Sequence, residues 1–230
     1  MNASLLAIIS LFITLGCYVL SKLLHKRTNK LVFAPIVFAP VVITAIVVLA
    51  RIPLPIYFTY NHWLMAMLGP ATIAFALPIY RHRQLIGQYP LTLLCGVICG
   101  LTLGAVSSWL VVHIFTLPSD VAHSMAVHSV STPFALDATA AFGGVADISA
   151  ILVLLTGIVG MMIGEPLFKW AKIRSSHAKG SALAAASHGA GAAKATQLGQ
   201  KEGVIASLTM IFTGIGMVVL SPWLALLMAI

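Results

Sequence analysis

Residues 91–117 read LTLLCGVICGLTLGAVSSWLVVHIFTL, a run without a single Lys, Arg, Asp or Glu. A helix needs about 20 apolar residues to cross the hydrocarbon core of a bilayer, and this run is longer than that. Working outward, the same pattern recurs at 4–24, 31–50, 147–167 and 204–228. The chain is therefore expected to be all-α, threading a membrane as a polytopic bundle. A sixth stretch, 63–80, is apolar but holds Leu68-Gly69-Pro70 in its middle and Pro78 near its end. Proline removes a backbone donor and crowds the preceding turn, so breaks or kinks are expected at Gly69, Pro70 and Pro78.

Composition excludes the soluble alternatives. Of 230 residues, 60% are hydrophobic and 8% charged, with mean hydropathy +1.04. A soluble domain carries about a quarter charged residues, so this chain cannot coat a globule with polar surface and its excess apolar side chains must face lipid. The length fits one transmembrane domain over 1–230, with halves at 1–117 and 119–230. The formal charge of +8 falls in short clusters between apolar runs: Lys22, His25, Lys26, Arg27 and Lys30; then Arg81, His82 and Arg83; then Lys169, Lys172, Arg174 and Lys179. That is the positive-inside pattern of a multi-pass membrane protein, not the footprint of nucleic-acid binding. Cys17, Cys95 and Cys99 lie in apolar runs, and Cys95 and Cys99 share a helix face without His or carboxylate neighbours. All three read as small buried hydrophobes, with neither a disulfide nor a metal site expected. The first apolar stretch lacks a positive leading region and a small-residue cleavage site, so it is expected to be a retained span.

Two segments are out of character. Residues 119–144 hold Ser129, Ser131, Thr132, Pro133, Asp137 and the pair Gly143-Gly144. Residues 178–198 are Ala, Gly and Ser around Ser187-His188-Gly189-Ala190-Gly191. Irregular backbone at membrane depth persists only when buried in protein or lining a watery cavity, so both read as broken or re-entrant helices. With the basic clusters in the cytoplasm, 31–50 runs outward and 147–167 inward, while 119–144 enters and leaves from the outer side. Each half also carries a continuous span followed by an interrupted one, Ala50 to Gly69 and Lys169 to His188. Interruptions at matching places in oppositely oriented halves point to an inverted repeat.

Ionisable residues inside a membrane are functional candidates by default. Here they are His128, Asp137 and His188, each a candidate for carrying a coupled proton because it sits in an irregular segment. Glu165 lies near a span end, Asp147 at a helix start, and Lys194, Lys201 and Glu202 flank the last span. Broken helices free backbone N–H groups whose partial positive charge suits a carboxylate. Ser129, Ser131, Thr132 and Pro133 with Ser187, His188, Gly189 and Gly191 therefore form a candidate site for a small organic anion. The same residue types are also the usual contact surface of packed membrane helices, and the residues alone leave both readings open. No nucleophile elbow, His-Glu-x-x-His or phosphate loop is present, so no catalytic residue, cofactor or metal is expected.

The motifs in these irregular segments resemble the LrgB/CidB family of bacterial membrane proteins. The resemblance rests on Met67-Leu68-Gly69-Pro70-Ala71 through Leu77-Pro78-Ile79-Tyr80, then Ser129-Val130-Ser131-Thr132-Pro133, Gly143-Gly144, and Ala186-Ser187-His188-Gly189 through Lys201-Glu202-Gly203. These lie in the family's order and cover nearly the whole chain. The chain departs from the family pattern at Val127-His128, where Pro-Lys or Pro-Gln is usual, at Gly189-Ala190-Gly191-Ala192-Ala193, and at Gln197. The resemblance implies one of two functions. One is alternating-access transport of small monocarboxylates of the pyruvate, lactate or glycolate type. The other is a holin/antiholin-like control of murein hydrolase export and autolysis. It also implies a small LrgA/CidA-type membrane subunit as partner, and a homo-oligomer is expected. A lesion-forming holin has no need of broken helices bearing Ser, Thr and His, which favours the carrier.

Overall fold

The structure, a computed structural model, describes residues 2–228. Among them there are only helices, turns and irregular segments, with no strand. The chain divides into two compact units, Met1–Ala71 and Thr72–Ile230, a division that falls elsewhere than the halves 1–117 and 119–230. Five helical stretches are long and apolar enough to span a membrane: Ala3–Thr28, Leu54–Arg81, Pro90–Phe115, Ala146–Trp170 and Gln200–Leu227.

The first unit contains α1 (Ala3–Thr28), α2 (Pro35–Leu49) and α3 (Leu54–Ala66). α1 closes at Asn29 in the left-handed conformation, with His25, Lys26 and Arg27 in its last turn where the helix dipole favours cations. The stretch 31–50 differs from the expected full span. A 3₁₀ turn at Leu31–Phe33 comes first and α2 then has only 15 residues, about 22 Å of rise against a core of about 30 Å. α3 in turn begins well before residue 63. Its polar residues Tyr57 and Asn61 are accommodated by partners: the Tyr57 hydroxyl lies 3.0 Å from Thr14 Oγ1, and Asn61 Nδ2 donates to the Tyr57 carbonyl at 2.8 Å.

The stretch 63–80 is interrupted, as its prolines imply, but three residues before each of them. α3 gives way at Met67 to α4 (Leu68–Ala74), and α5 (Ala76–Arg81) starts after Phe75. Pro70 and Pro78 each fall in the first turn of their helix, where a missing N–H leaves no bond unmade.

The second unit continues through α6 (Arg83–Gln88), α7 (Pro90–Phe115), α8 (Ser119–Met125), α9 (Thr132–Thr139), α10 (Ala146–Trp170), α11 (Ser176–Leu198) and α12 (Gln200–Met228). Two helical hairpins dock against α10 from opposite ends. The first is α8 and α9 with the turn 126–131 between them. The last turn of α8 and the end of α9 both lie against the start of α10, where the Val145 N–H donates to Ser124 Oγ at 2.8 Å, Ser149 Oγ donates to the Ser124 carbonyl at 3.1 Å and Thr139 Oγ1 donates to Ser149 Oγ at 3.0 Å. The hairpin's tip reaches deeper, since His128 Nδ1 lies 3.0 Å from Thr156 Oγ1. Gly143 closes the return at φ +71, and a Cβ on Gly144 would stand 2.9 Å from the Ser124 backbone.

The second hairpin is α11 itself. His188 (φ 38, ψ −117) is the one non-helical residue within it, and there the chain folds back. Going up, Leu183 packs on Gly164, Ser187 on Gly160 and His188 on Gly157 of α10. Coming down, Lys194 is again level with Glu165, to which it is ion-paired at 2.7 Å. The two arms lie so close that a Cβ on Gly191 would collide with the Leu183 carbonyl. α12 packs along both α11 arms, α7 and α9 and is the most enclosed of the long helices. The core around it includes Leu183, Ile205, Leu208, Ile211 and Met217, all essentially inaccessible.

Large exposed apolar side chains such as Phe12, Leu49, Ile73, Leu91, Leu103 and Leu226 stand on the helices' outer faces. In a soluble chain such a surface would aggregate, whereas against acyl chains it has no solvation cost. Cys17 is buried as expected, but Cys95 and Cys99 are exposed. The inward face of α7 is taken by their neighbours Gly96, Gly100 and Gly104, and one helical step of about 100° turns the cysteines away.

Candidate functional site

Each hairpin tip is made where the helix lacks a backbone donor or a side chain. Pro133 cannot donate, and it occupies the first turn of α9 after Ser131 in extended conformation, so the helix restarts at the tip of the first hairpin. In the second, the left-handed His188 is followed by Gly189 and then the returning arm. Both helices restart near the midpoint of α10, between Val153 and Gly160.

The two tips meet on that single stretch of α10. His128 bonds Thr156 there, while His188 Nε2 donates to the Val153 carbonyl at 3.0 Å and its ring lies on Gly157. On the other side, α7 receives both hairpins on adjacent turns. Ser129 packs on Gly104, Ala185 on Gly100 and Ser181 on Gly96. His128 Nε2 lies 3.1 Å from Ser107 Oγ, so its imidazole spans from α7 to α10.

The hydroxyls at the tips are buried and unanswered. Ser129, Ser131 and Ser187 are 4%, 6% and 0% exposed, and none of their Oγ atoms has a hydrogen-bond partner. Thr209 Oγ1 of α12 is in the same condition. Buried polar side chains are normally paired, and an unpaired one marks a place where something else is bonded or where strain is held. Beside the tips an open, apolar groove of about 390 Å³ runs along α10, lined by Met125, Leu152, Leu155, Thr156, Val159, Gly160 and Ala186, and none of the unpartnered hydroxyls lines it.

The predicted residues therefore separate into groups. Ser129, Ser131, Ser187, His188 and His128 are brought to the tips. Thr132 and Pro133 form the first turn of α9, half-buried. Gly189 and Gly191 open the returning arm of the second hairpin. Asp137 is on the exposed side of α9, away from the tips. Gly143 and Gly144 shape the return of the first hairpin, and Gly69, Pro70 and Pro78 belong to the interrupted helical stretch before α6. Asp147 is in the first turn of α10 as expected.

Sequence reasoning missed three things. The glycines at 96, 100 and 104 repeat every four residues and make one face of α7, and those at 157, 160 and 164, spaced three and four apart, make one face of α10; that spacing is visible in the sequence. Ser107 and Thr156 had no distinguishing signal. Glu165 was placed at a span end, but it holds both Lys169 (2.8 Å) and Lys194 (2.7 Å), tying the second hairpin to α10. Among the described residues no cluster of His, Cys, Asp or Glu is arranged to hold a metal ion.

This architecture defines a multi-pass helical membrane protein with two oppositely directed hairpins converging near the midpoint of α10. The chain belongs to the LrgB-like family, which it matches over residues 14–227. It is 30% identical over 95% of its length to YwbG, an uncharacterized protein of Bacillus subtilis (strain 168), covering 97% of that protein. It is 29% identical to YxaC, another uncharacterized protein of the same strain, over 91% of both chains. No solved structure matches the chain.

Proposed function

We propose that the protein is a carrier of small monocarboxylates of the pyruvate, lactate or glycolate type in the bacterial inner membrane. The carboxylate is bound between the two hairpin tips. The observation that carries this reading is the set of three buried, unpartnered hydroxyls, Ser129, Ser131 and Ser187, at two helix restarts that share one stretch of α10. An anion there accepts hydroxyl protons and faces the free N–H groups of a helix start, whose partial positive charge is otherwise uncompensated. The hairpins enter from opposite ends, so opening either one exposes the site to a different side, the arrangement that alternating access requires.

The alternative is a holin/antiholin-like modulator working through a small LrgA/CidA-type subunit. It gives the three hydroxyls no role. The deciding experiment is uptake of labelled pyruvate, lactate and glycolate into liposomes holding the purified chain, repeated with the small subunit. Saturable, competable uptake that is lost in a Ser131→Ala, Ser187→Ala double variant supports the carrier. Absence of uptake in both preparations overturns it.

A further inference from the structure

We infer that His128, and neither His188 nor Asp137, binds the proton that accompanies the carboxylate. This rests on the carrier reading and assigns the coupling residue within that same site. The argument is an inventory of protons. Ser107 Oγ lies 2.9 Å from the Gly104 carbonyl and 3.1 Å from His128 Nε2. Thr156 Oγ1 lies 2.9 Å from the Leu152 carbonyl and 3.0 Å from His128 Nδ1. Each hydroxyl has one proton to give and lone pairs to receive another. With the imidazole neutral, one ring nitrogen donates to a hydroxyl and the other accepts a proton from the second hydroxyl. With the imidazole protonated, both ring nitrogens donate and both hydroxyls turn their protons to the carbonyls. Neither state leaves an orphaned group, and the change from one to the other requires only a hydroxyl rotation and one new N–H bond at the ring.

The other candidates lack this property. His188 donates its Nε2–H to the Val153 carbonyl, which can only accept, so only His128 has both ring nitrogens held between hydroxyls that can exchange donor and acceptor roles. Asp137 is exposed on α9 and far along the helix from the tip. The groups facing the His128 ring are Ser107 from α7 and Thr156 from α10, with His188 of the second hairpin docked on the adjoining residues of α10. No carboxylate contacts either ring, since the ion pairs among the described residues both involve Glu165.

That absence of a protein counter-ion gives the coupling its direction. A lone imidazolium in this buried place is unfavourable, and so is a lone carboxylate. Bound together they neutralise each other, so each raises the other's affinity. The ring takes its proton from water on the side to which the site is open and returns it on the other. One monocarboxylate then moves with one proton, and transport is electroneutral.

The test uses liposomes with the full chain and labelled pyruvate, lactate and glycolate. In wild type, an acid-outside gradient drives accumulation above the equilibrium level, while an imposed membrane potential changes nothing. In His128→Gln, which spans the same hydroxyls without titrating, any remaining uptake stops at equilibrium. Proton uptake by purified protein in weakly buffered detergent, on adding the transported acid, gives the second readout. We expect about one proton per acid bound in wild type and in the control His113→Gln, an exposed histidine near the end of α7, and none in His128→Lys, whose fixed cation still attracts the anion. Accumulation or proton uptake in the His128 variants equal to wild type overturns the assignment while leaving the carrier standing. If wild type takes up none of the three acids with or without the small subunit, the carrier reading itself fails.

Discussion

A buried hydroxyl without a partner costs a fold about 1–3 kcal/mol, and the two hairpin tips carry three of them. Nothing in the packing requires the oxygen of Ser187, which is 0% exposed and rests over Gly160. Ser187→Ala is therefore expected to leave the melting temperature of the detergent-solubilised protein unchanged or to raise it. A hydrogen bond to a charged ligand contributes about 1.5–3 kcal/mol, so the same change should weaken carboxylate transport roughly 10- to 100-fold in KM. A Ser187→Ala protein that melts clearly lower with unchanged KM would make the serine a packing residue. Ser108 is the control at this scale. Its hydroxyl lies 2.9 Å from each of the Gly104 and Met125 carbonyls, with one proton to share between them, and Ser108→Ala should lower stability by about 1 kcal/mol.

The second hairpin depends on one close approach. A Cβ at position 191 would collide with the Leu183 carbonyl, and backbone cannot be moved aside as a flexible side chain can. Gly191→Ala is thus expected to spread the two arms and to cost about 1–3 kcal/mol, seen as a lower melting temperature together with lost uptake. Gly16, with nothing near its missing side chain, should tolerate the same change. How much of these elements the sequence revealed follows from the residues concerned. The breaks at 128–133 and 187–191 were readable because Pro133, His188 and Gly189 interrupt otherwise small, apolar runs. The fold-back of 178–198 was not, because a stripe of Ala, Gly and Ser serves equally for a straight helix packed among others and for two arms packed on each other. Only the left-handed conformation of His188 distinguishes them, and that is set by tertiary contact with Val153 and Gly157. The start of α3, from 54 to 62, is not legible because Tyr57, Asn61 and His62 dilute its hydropathy, and the partner of Tyr57, Thr14, lies 43 residues away where no local pattern reports it.

At the scale of the molecule, the two hairpins give a topological prediction that does not depend on any substrate. The first returns to the start of α10 at Val145 and the second to its other end near Glu165, so their open ends lie on opposite faces of the membrane. The basic residues Lys169, Lys172, Arg174 and Lys179 all adjoin the open end of the second, which the positive-inside rule puts in the cytoplasm. In a background with Cys17, Cys95 and Cys99 replaced, a cysteine at Ser119 should react with a membrane-impermeant maleimide added to intact cells. One at Ser175 should react only after the membrane is opened. Cysteines at Ser131 and Ser187, which the fold places midway, should label slowly from either side and be protected by a transported acid if the tips bind it. Labelling of 119 and 175 from the same face would mean that α10 does not cross the bilayer between the hairpins, and the opposed-hairpin architecture on which alternating access rests would be lost with it.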